Sequence, residues 1–404
     1  MEIQDINIKT EKNQITTGEQ LVLLEGTHAV ALAVALCRVK VIAAYPITPS
    51  SSIAEKLSDM VAEGKLNAKY IRVESEYSSM TSLIGAAHVG VRTFSATSSQ
   101  GLAYMHEVLH WAAGSRLPIV LCNANRALGA PWNLGADQTD SLSQRDTGWL
   151  QFYCEHNQDA LDTIIQAYRI AEEILLPVMV NLDAFYATHT MERLYLPSQE
   201  MVDQFLPLWN SQYKIDFTNP GAIGGIAHGE TYFKFKYKSH QAMQKALTVI
   251  QETETEYENL TGRAAHEMVK GWYTEDAEII VVSAGTSTGT VRTVVKRLRE
   301  LGFPVGLIRI RLFRPFPAEA VFRKLKNAKK IVVIDRNIGL GIGGIFAQEV
   351  KAALYNYGLY TPLFSFIDGL GGKDITPESI EQAIAFVKKQ DRPKQNTYWI
   401  GIDV

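Results

Sequence analysis

Glu74 and Glu76, two positions apart, are suited to hold or move a proton, and Arg126 is suited to grip a carboxylate through two parallel charge-assisted hydrogen bonds. Thr48, Ser98, Gln100, Asn125 and Asp183 add hydroxyl, amide and carboxylate groups. They are scattered along the chain, yet each comes at or just beyond the end of a short apolar run. The runs cover 39–46, 70–73, 92–97, 117–123 and 177–182. That shared position turns a set of polar residues into a candidate site.

Segments with helical spacing lie between the runs. Ile53, Leu57, Met60 and Val61 recur on one face after Thr48-Pro49, which predicts Thr48 as N-cap and Pro49 as the first helical residue. Helices are expected over 75–90, 102–113 and 158–174, and a further strand over 149–154. Strand and helix alternating through short links imply an α/β fold with a parallel sheet covered on both faces. Such sheets bind ligands beyond the carboxyl ends of their strands, where the polar residues fall. The loop 125–148 has almost no periodicity. Residues 187–238 lose the rhythm, with a glycine-rich stretch at 219–229 followed by the basic, aromatic FKFKYKS, and a charged helix is expected over 240–259. This region reads equally as a plain connector or as an interaction arm. A second α/β unit follows, with strands expected over 278–283, 305–310, 331–335 and 364–367, and helices over 288–301, 318–325, 344–357 and 377–388. The expected division is 1–186, 187–275 and 276–404.

With 404 residues, 46% of them hydrophobic, the chain can fill two or three domains of about 100–200 residues each. A net charge of -3 gives no electrostatic case for nucleic acid or an acidic membrane surface. The polar start, MEIQDINIKTEKN, lacks the apolar core of a secretory signal, and no apolar run nears the ~20 residues of a membrane span. Cys37, Cys122 and Cys154 are far apart and form no CxxC pair, which argues against a disulfide framework, a structural zinc site or an iron–sulfur cluster held by this chain alone. The expected location is the cytoplasm.

Two short motifs offer rival chemistries. His106-Glu107-Val108-Leu109-His110 matches HExxH, which on a helix turns two imidazoles to one face for zinc. The helix sits inside a parallel βα unit and lacks a third ligand downstream, so interface packing is the plainer reading. Gly339, Gly341 and Gly344 fit GxGxxG after the run 331–335. Three residues intervene before the first glycine, where a dinucleotide fingerprint turns almost at once, and a glycine turn for close helix–sheet packing explains them as well. A zinc hydrolase and a dinucleotide-binding protein thus stand as the alternatives.

Several longer stretches carry a resemblance. They are YPITPSS at 45–51, VESE at 73–76, ATSSQGL at 96–102, Asn125-Arg126-Ala127 through Asp137, QRDTGW at 144–149, and DGLGGKD at 368–374. In order and over almost the whole chain, these resemble the α subunit of the 2-oxoacid:ferredoxin oxidoreductases. The resemblance implies a pyrimidine-type thiamine-diphosphate-binding domain followed by a transketolase C-terminal-like domain. It implies that Glu76, rather than Glu74, contacts the aminopyrimidine ring, where a carboxylate on the ring nitrogen helps generate the reactive carbon. It implies that Thr48 and Arg126 hold the substrate carboxylate, and that Ser98 and Gln100 lie near the cofactor, although turn capping suits those two equally.

No GDG segment with a downstream asparagine is present, so the resemblance implies that a β subunit supplies magnesium and the diphosphate site. Iron–sulfur clusters are then expected only in partner chains, including γ and δ (ferredoxin-like) subunits. The implied reaction is coenzyme A-dependent oxidative decarboxylation of a 2-oxo acid, with electrons passing to ferredoxin or an NAD-linked acceptor. Pyruvate is the first expectation for substrate. Gly135-Ala136 stands where pyruvate-type relatives often carry an aromatic residue, which raises a larger acid such as phenylglyoxylate.

Overall fold

The computed structural model describes residues 18–211, 213–221 and 223–404, so the polar start read above lies outside the described residues. In chain order the first strands are β1 (Glu19–Glu25), β2 (Val41–Ala44), β3 (Lys69–Arg72), β4 (Thr93–Thr97), β5 (Val120–Asn125), β6 (Leu150–Tyr153), β7 (Val178–Asp183) and β8 (Met191–Pro197). Then come β9 (Val269–Trp272), β10 (Ile279–Ser283), β11 (Val305–Ile310), β12 (Leu312–Arg314), β13 (Lys330–Asp335), β14 (Leu363–Ile367) and β15 (Tyr398–Trp399). The helices of the first half are α1 (Gly26–Leu36), α2 (Ser51–Ala62), α3 (Glu76–His88), α4 (Ser99–Tyr104), α5 (His106–Gly114), α6 (Thr139–Leu142), α7 (Asn157–Ile174), α8 (Gln199–Phe205) and α9 (Gly229–Thr261). Those of the second are α10 (Ser287–Glu300), α11 (Ala318–Leu325), α12 (Ile345–Asn356) and α13 (Pro377–Lys388).

Seven strands form the first sheet in the order β12-β6-β7-β5-β4-β2-β3. All neighbours are parallel except β12, which is antiparallel to β6. Successive side chains alternate between faces, and both faces are buried, so the strands read as continuous apolar runs. On β5, Val120 and Cys122 join the core under α1, α2 and α7, whereas Leu121 points to the opposite core under α3, α4 and α5. Helix α1 is apolar all round (GTHAVALAVAL) because it is enclosed between α2 and α7. The second sheet runs β15-β14-β13-β10-β11-β9, with α11 and α12 on one face and α10 and α13 on the other.

Several expectations are refined here. The Thr48–Pro49 peptide is cis and Ser50 N–H donates to the Ile47 carbonyl at 2.9 Å, so the turn extends through Ser50 and α2 starts at Ser51, not at Pro49. The helix expected over 102–113 is two helices meeting at Met105. The second sheet begins before residue 276, because β9 pairs antiparallel with β11. The region 187–261 is tied to the first domain: β8 pairs with β1, and α9 packs through Ala246, Val249 and Ile250 against the α7 core.

Strand β12 belongs to the second half of the chain but completes the first sheet. Around that crossing lies a buried charge cluster. Arg309 Nη2 meets Asp159 Oδ2 at 2.5 Å, Arg311 Nε meets Asp159 Oδ1 at 3.1 Å, and Arg311 Nη1 meets Glu254 Oε1 at 2.6 Å. Burial alone would raise the Asp159 pKa, but Arg309, His266 and Arg311 outweigh it and hold that carboxyl well below its usual range. The cluster joins α7, α9 and the second sheet.

Candidate functional site

The polar residues singled out above gather beyond the carboxyl ends of β2, β3, β4, β5 and β7, at one edge of the first sheet. Glu76 opens α3, with Ser75 as N-cap accepting the Ser78 N–H at 3.2 Å. A carboxylate in a helix's first turn is favoured by the helix dipole. The Glu76 side chain is inside, 8% exposed, and its carboxylate receives no hydrogen bond among the described residues. Neither of its oxygens is among the fully buried unpartnered atoms, so the carboxylate reaches the surface, where a donor from outside the chain can meet it. Glu74 differs: it is exposed and accepts the Ser78 hydroxyl, which lowers its pKa. Gly101 packs against Glu76. A Cβ there would overlap Glu76 Oε1 and come within 2.7 Å of Thr97 Oγ1.

Arg126 sits at the end of β5, almost fully buried. Its Nη1 donates to the Thr48 carbonyl and its Nη2 to Gln100 Oε1, each at 2.5 Å, and its buried Nε has no partner among the described residues. Burial lowers its pKa, while the nearby Asp140 and Glu76 carboxylates oppose the shift. Thr48, Gln100, Arg126 and Glu76 therefore form one constellation: an unpartnered acid beside a guanidinium with an unused donor.

Ser98 and Asp183 take other roles. Ser98 is fully buried and its hydroxyl donates to the Ala124 carbonyl at 2.6 Å, so it braces the β4 turn against β5. Asp183 accepts from Gln138 Nε2 at 2.9 Å and from the Thr286 N–H and hydroxyl at 2.9 and 2.6 Å, so it ties the first sheet to the start of α10. Asp137 accepts the Thr139 N–H at 2.8 Å, and burial raises its pKa.

The residue that organises these turns went unnoticed in the sequence. Asp140 is fully buried in the long loop. It accepts the Ser99 N–H at 2.9 Å, the Arg126 N–H at 3.1 Å, and the side-chain amides of Asn123 and Asn125 at 3.2 and 2.7 Å. It thus staples the Gln100 turn to the Arg126 turn. Burial pushes its pKa up to about 7, against donors that pull it down. The only local signal was an aspartate just after Asp137-Gln138-Thr139, indistinguishable from other loop carboxylates.

The two rival motifs lose their chemistry. His106 Nδ1 bonds Gln144 Oε1 at 2.6 Å, its ring lies edge-on to His110 at 5.0 Å, and no group of His, Cys, Asp and Glu suited to a metal occurs among the described residues. In the glycine loop, Asp335 occupies the start of α12 itself, accepting the Phe346 and Ala347 N–H groups at 3.0 and 3.2 Å. A side chain at Gly344 would overlap that carboxylate. The position where a phosphate would bind is filled by the protein's own anion. Gly135 also has a packing reason: a Cβ would overlap the Gly371 carbonyl, and Ala136 is fully buried.

Residues 32–255 match the family described as pyruvate flavodoxin/ferredoxin oxidoreductase, thiamine diP-bdg, and residues 277–380 match pyruvate:ferredoxin oxidoreductase core domain II. The chain belongs to this family. It is an α-type subunit of a 2-oxoacid:ferredoxin oxidoreductase, and neither rival reading has support. It is 45% identical to ketoisovalerate oxidoreductase subunit VorA of Pyrococcus horikoshii, over 91% of this chain and 93% of that protein. It is 44% identical to pyruvate synthase subunit PorA of Methanothermobacter thermautotrophicus, over 95% of this chain and 98% of that protein. Among solved structures, 2-oxoglutarate:ferredoxin oxidoreductase from Magnetococcus marinus shares the fold with a TM-score of 0.67 at 22% identity, covering 91% of this chain and 65% of that one. A split-gene transketolase also shares it, with a TM-score of 0.57 at 12% identity. No helix among the described residues is long and apolar enough to cross a membrane.

Proposed function

We propose that Glu76 is the pyrimidine-side acid of a thiamine-diphosphate site, and that Arg126 with Thr48 and Gln100 holds the carboxylate of a 2-oxo acid beside it. The reading rests on one observation above all: a carboxylate 8% exposed, without a hydrogen-bond partner among the described residues, at the edge where the fold collects its polar side chains. Thiamine diphosphate, when bound, supplies a nucleophilic carbon and takes up the electron pair released by decarboxylation. Glu76 fits that cofactor by holding a proton against a ring nitrogen. The gap that Gly101 leaves lets the carboxylate sit close to the β4 turn. Arg126 has a free Nε donor in a dry setting, where a charge-assisted bond to a substrate carboxylate is strong. One N–H on each of Nη1 and Nη2 is held by the Thr48 carbonyl and by Gln100 Oε1, so the fork enters the site in one orientation.

Magnesium and the diphosphate are assigned to a β subunit, and the iron–sulfur clusters to further chains. Cys37, Cys122 and Cys154 support this: all three are buried and free, and burial raises their thiol pKa values, to about 12 for Cys122. The substrate lies among small 2-oxo acids, and relatives named for pyruvate and for ketoisovalerate are about equally similar. The deciding experiment assays the anaerobically purified complex with coenzyme A, a viologen dye and a panel of pyruvate, ketoisovalerate and phenylglyoxylate. Dye reduction should fall by at least about 100-fold in Glu76→Ala, with the subunits still assembled. Full activity in that variant would remove Glu76 from the mechanism.

A further inference from the structure

Residues 228–238 form the first turns of α9, apart from the N-cap His228, and every one of them is exposed. A surface helix is ordinarily held by an apolar stripe buried on a neighbour. Here the apolar groups are present and uncovered: Tyr232, Phe233 (72% exposed), Phe235 and Tyr237. At helical spacing these rings span about 200° of the circumference, more than one flat neighbour could cover. Lys234, Lys236 and Lys238 stand near the helix's amino end, where cations oppose the dipole. The preceding loop adds Phe217 and Ile226, 85% and 96% exposed. Anchorage starts only near Ala242, where the helix meets the α7 core. An exposed apolar surface of this extent marks a place of association.

The arm lies on the same face as Glu76. Ile215 N–H donates to the His88 carbonyl at 2.7 Å at the end of α3, and a side chain at Gly224 would touch the Trp111 ring of α5 at 3.9 Å. At the other end of that face Tyr77, next to Glu76, places its ring 6.0 Å from Tyr104. Tyr104 and Trp111 are both exposed. One aromatic surface thus runs from the catalytic carboxylate across α4 and α5 to the arm.

We propose that residues 213–221 and 223–240 are a docking arm for the subunit that completes the cofactor site, a proposal that rests on Glu76 serving a cofactor shared between chains. That subunit must reach Glu76, so it lies across Tyr77 and Tyr104, and the arm continues the surface it covers. Residues 228–240 carry three lysines, two histidines and one acid, Glu230, which is paired with Lys234 at 2.7 Å. The bound surface is therefore an apolar groove edged with carboxylates that wraps the helix.

The test uses the intact complex with the diphosphate-binding subunit tagged. Phe233→Asp/Phe235→Asp alters two exposed residues, so the melting temperature of the chain should hold. Its dissociation constant for the tagged subunit should rise by about 100-fold. Tyr355→Asp, equally exposed in the second domain, should leave it unchanged. Retention of the tagged subunit at wild-type affinity would overturn the proposal. So would loss of an association between two copies of this chain with the heteromeric contact intact, which would assign the arm to a second copy. A wild-type complex that binds normally but turns over no 2-oxo acid would instead overturn the reading of the site, and with it the identity of the partner.

Discussion

The absence of a side chain at residue 101 controls the position of the acid. Because a Cβ would enter the space of Glu76 Oε1 and lie 2.7 Å from the buried Thr97 Oγ1, Gly101→Ala should displace that carboxylate and also press on β4. A displacement of about 1 Å costs on the order of 100-fold in turnover. We expect kcat to drop by about that factor, with the melting temperature lowered as well by the contact with Thr97. A variant with normal kcat would show that the Glu76 geometry is not decisive. That Glu76, Arg126 and Thr48 gather at one edge of the sheet was legible in the sequence, because they sit in turns of recognisable composition after apolar runs. Gly101 stood in one of those turns, yet its reason, a contact with a residue twenty-five positions away, needs coordinates. Ser98 shows the converse. Its turn placed it near the site, and only the structure shows its hydroxyl directed to the Ala124 carbonyl.

Among elements, the turns after β4 and β5 are joined through Asp140, and its protonation couples them to pH. Its pKa of about 7 lies above the roughly 4 of an unfolded aspartate. Below about pH 4 both states hold the proton. Between about 4 and 7 the folded state keeps a proton that the unfolded state has lost, so this group's contribution to stability falls as pH rises through that window. Asp140→Asn cannot titrate. The melting temperature of the wild type minus that of the variant should therefore decline from pH 4 to 7 and then level off, and a difference independent of pH would refute the shift. The same variant should raise KM for the 2-oxo acid, since the Arg126 turn loses an anchor. Most strands and helices of the chain were readable from period and punctuation: α11 and α13 fall on the expected residues 318–325 and 377–388. The first turns of α9 were not. Phe233, Phe235 and Tyr237 alternate with lysines in a period of two, and the propensity for helix shows only once the segment is joined to the 33-residue helix.

For the whole molecule, the charge cluster around Asp159 is the joint between the halves. Asp159→Ala would leave Arg309 and Arg311 buried without their shared anion, at a cost of about 3–5 kcal/mol. Denaturant unfolding should show that loss, and a change below about 1 kcal/mol would mean that the arginines find other partners. No local pattern announced this joint. Arg309 and Arg311 alternate with apolar residues as in any strand, and their partners lie 150 and 152 positions earlier. The three residues of β12 are likewise too few to signal a strand. Their placement sets an order on synthesis. The first sheet leaves the ribosome with its β6 edge open, and the missing strand does not emerge until residue 314 has been made. During that interval the nascent chain presents an unpaired edge that can recruit other chains. The amino-terminal domain is thus completed by the carboxyl-terminal half, and its safe period for contact with a partner begins only when that half has been translated.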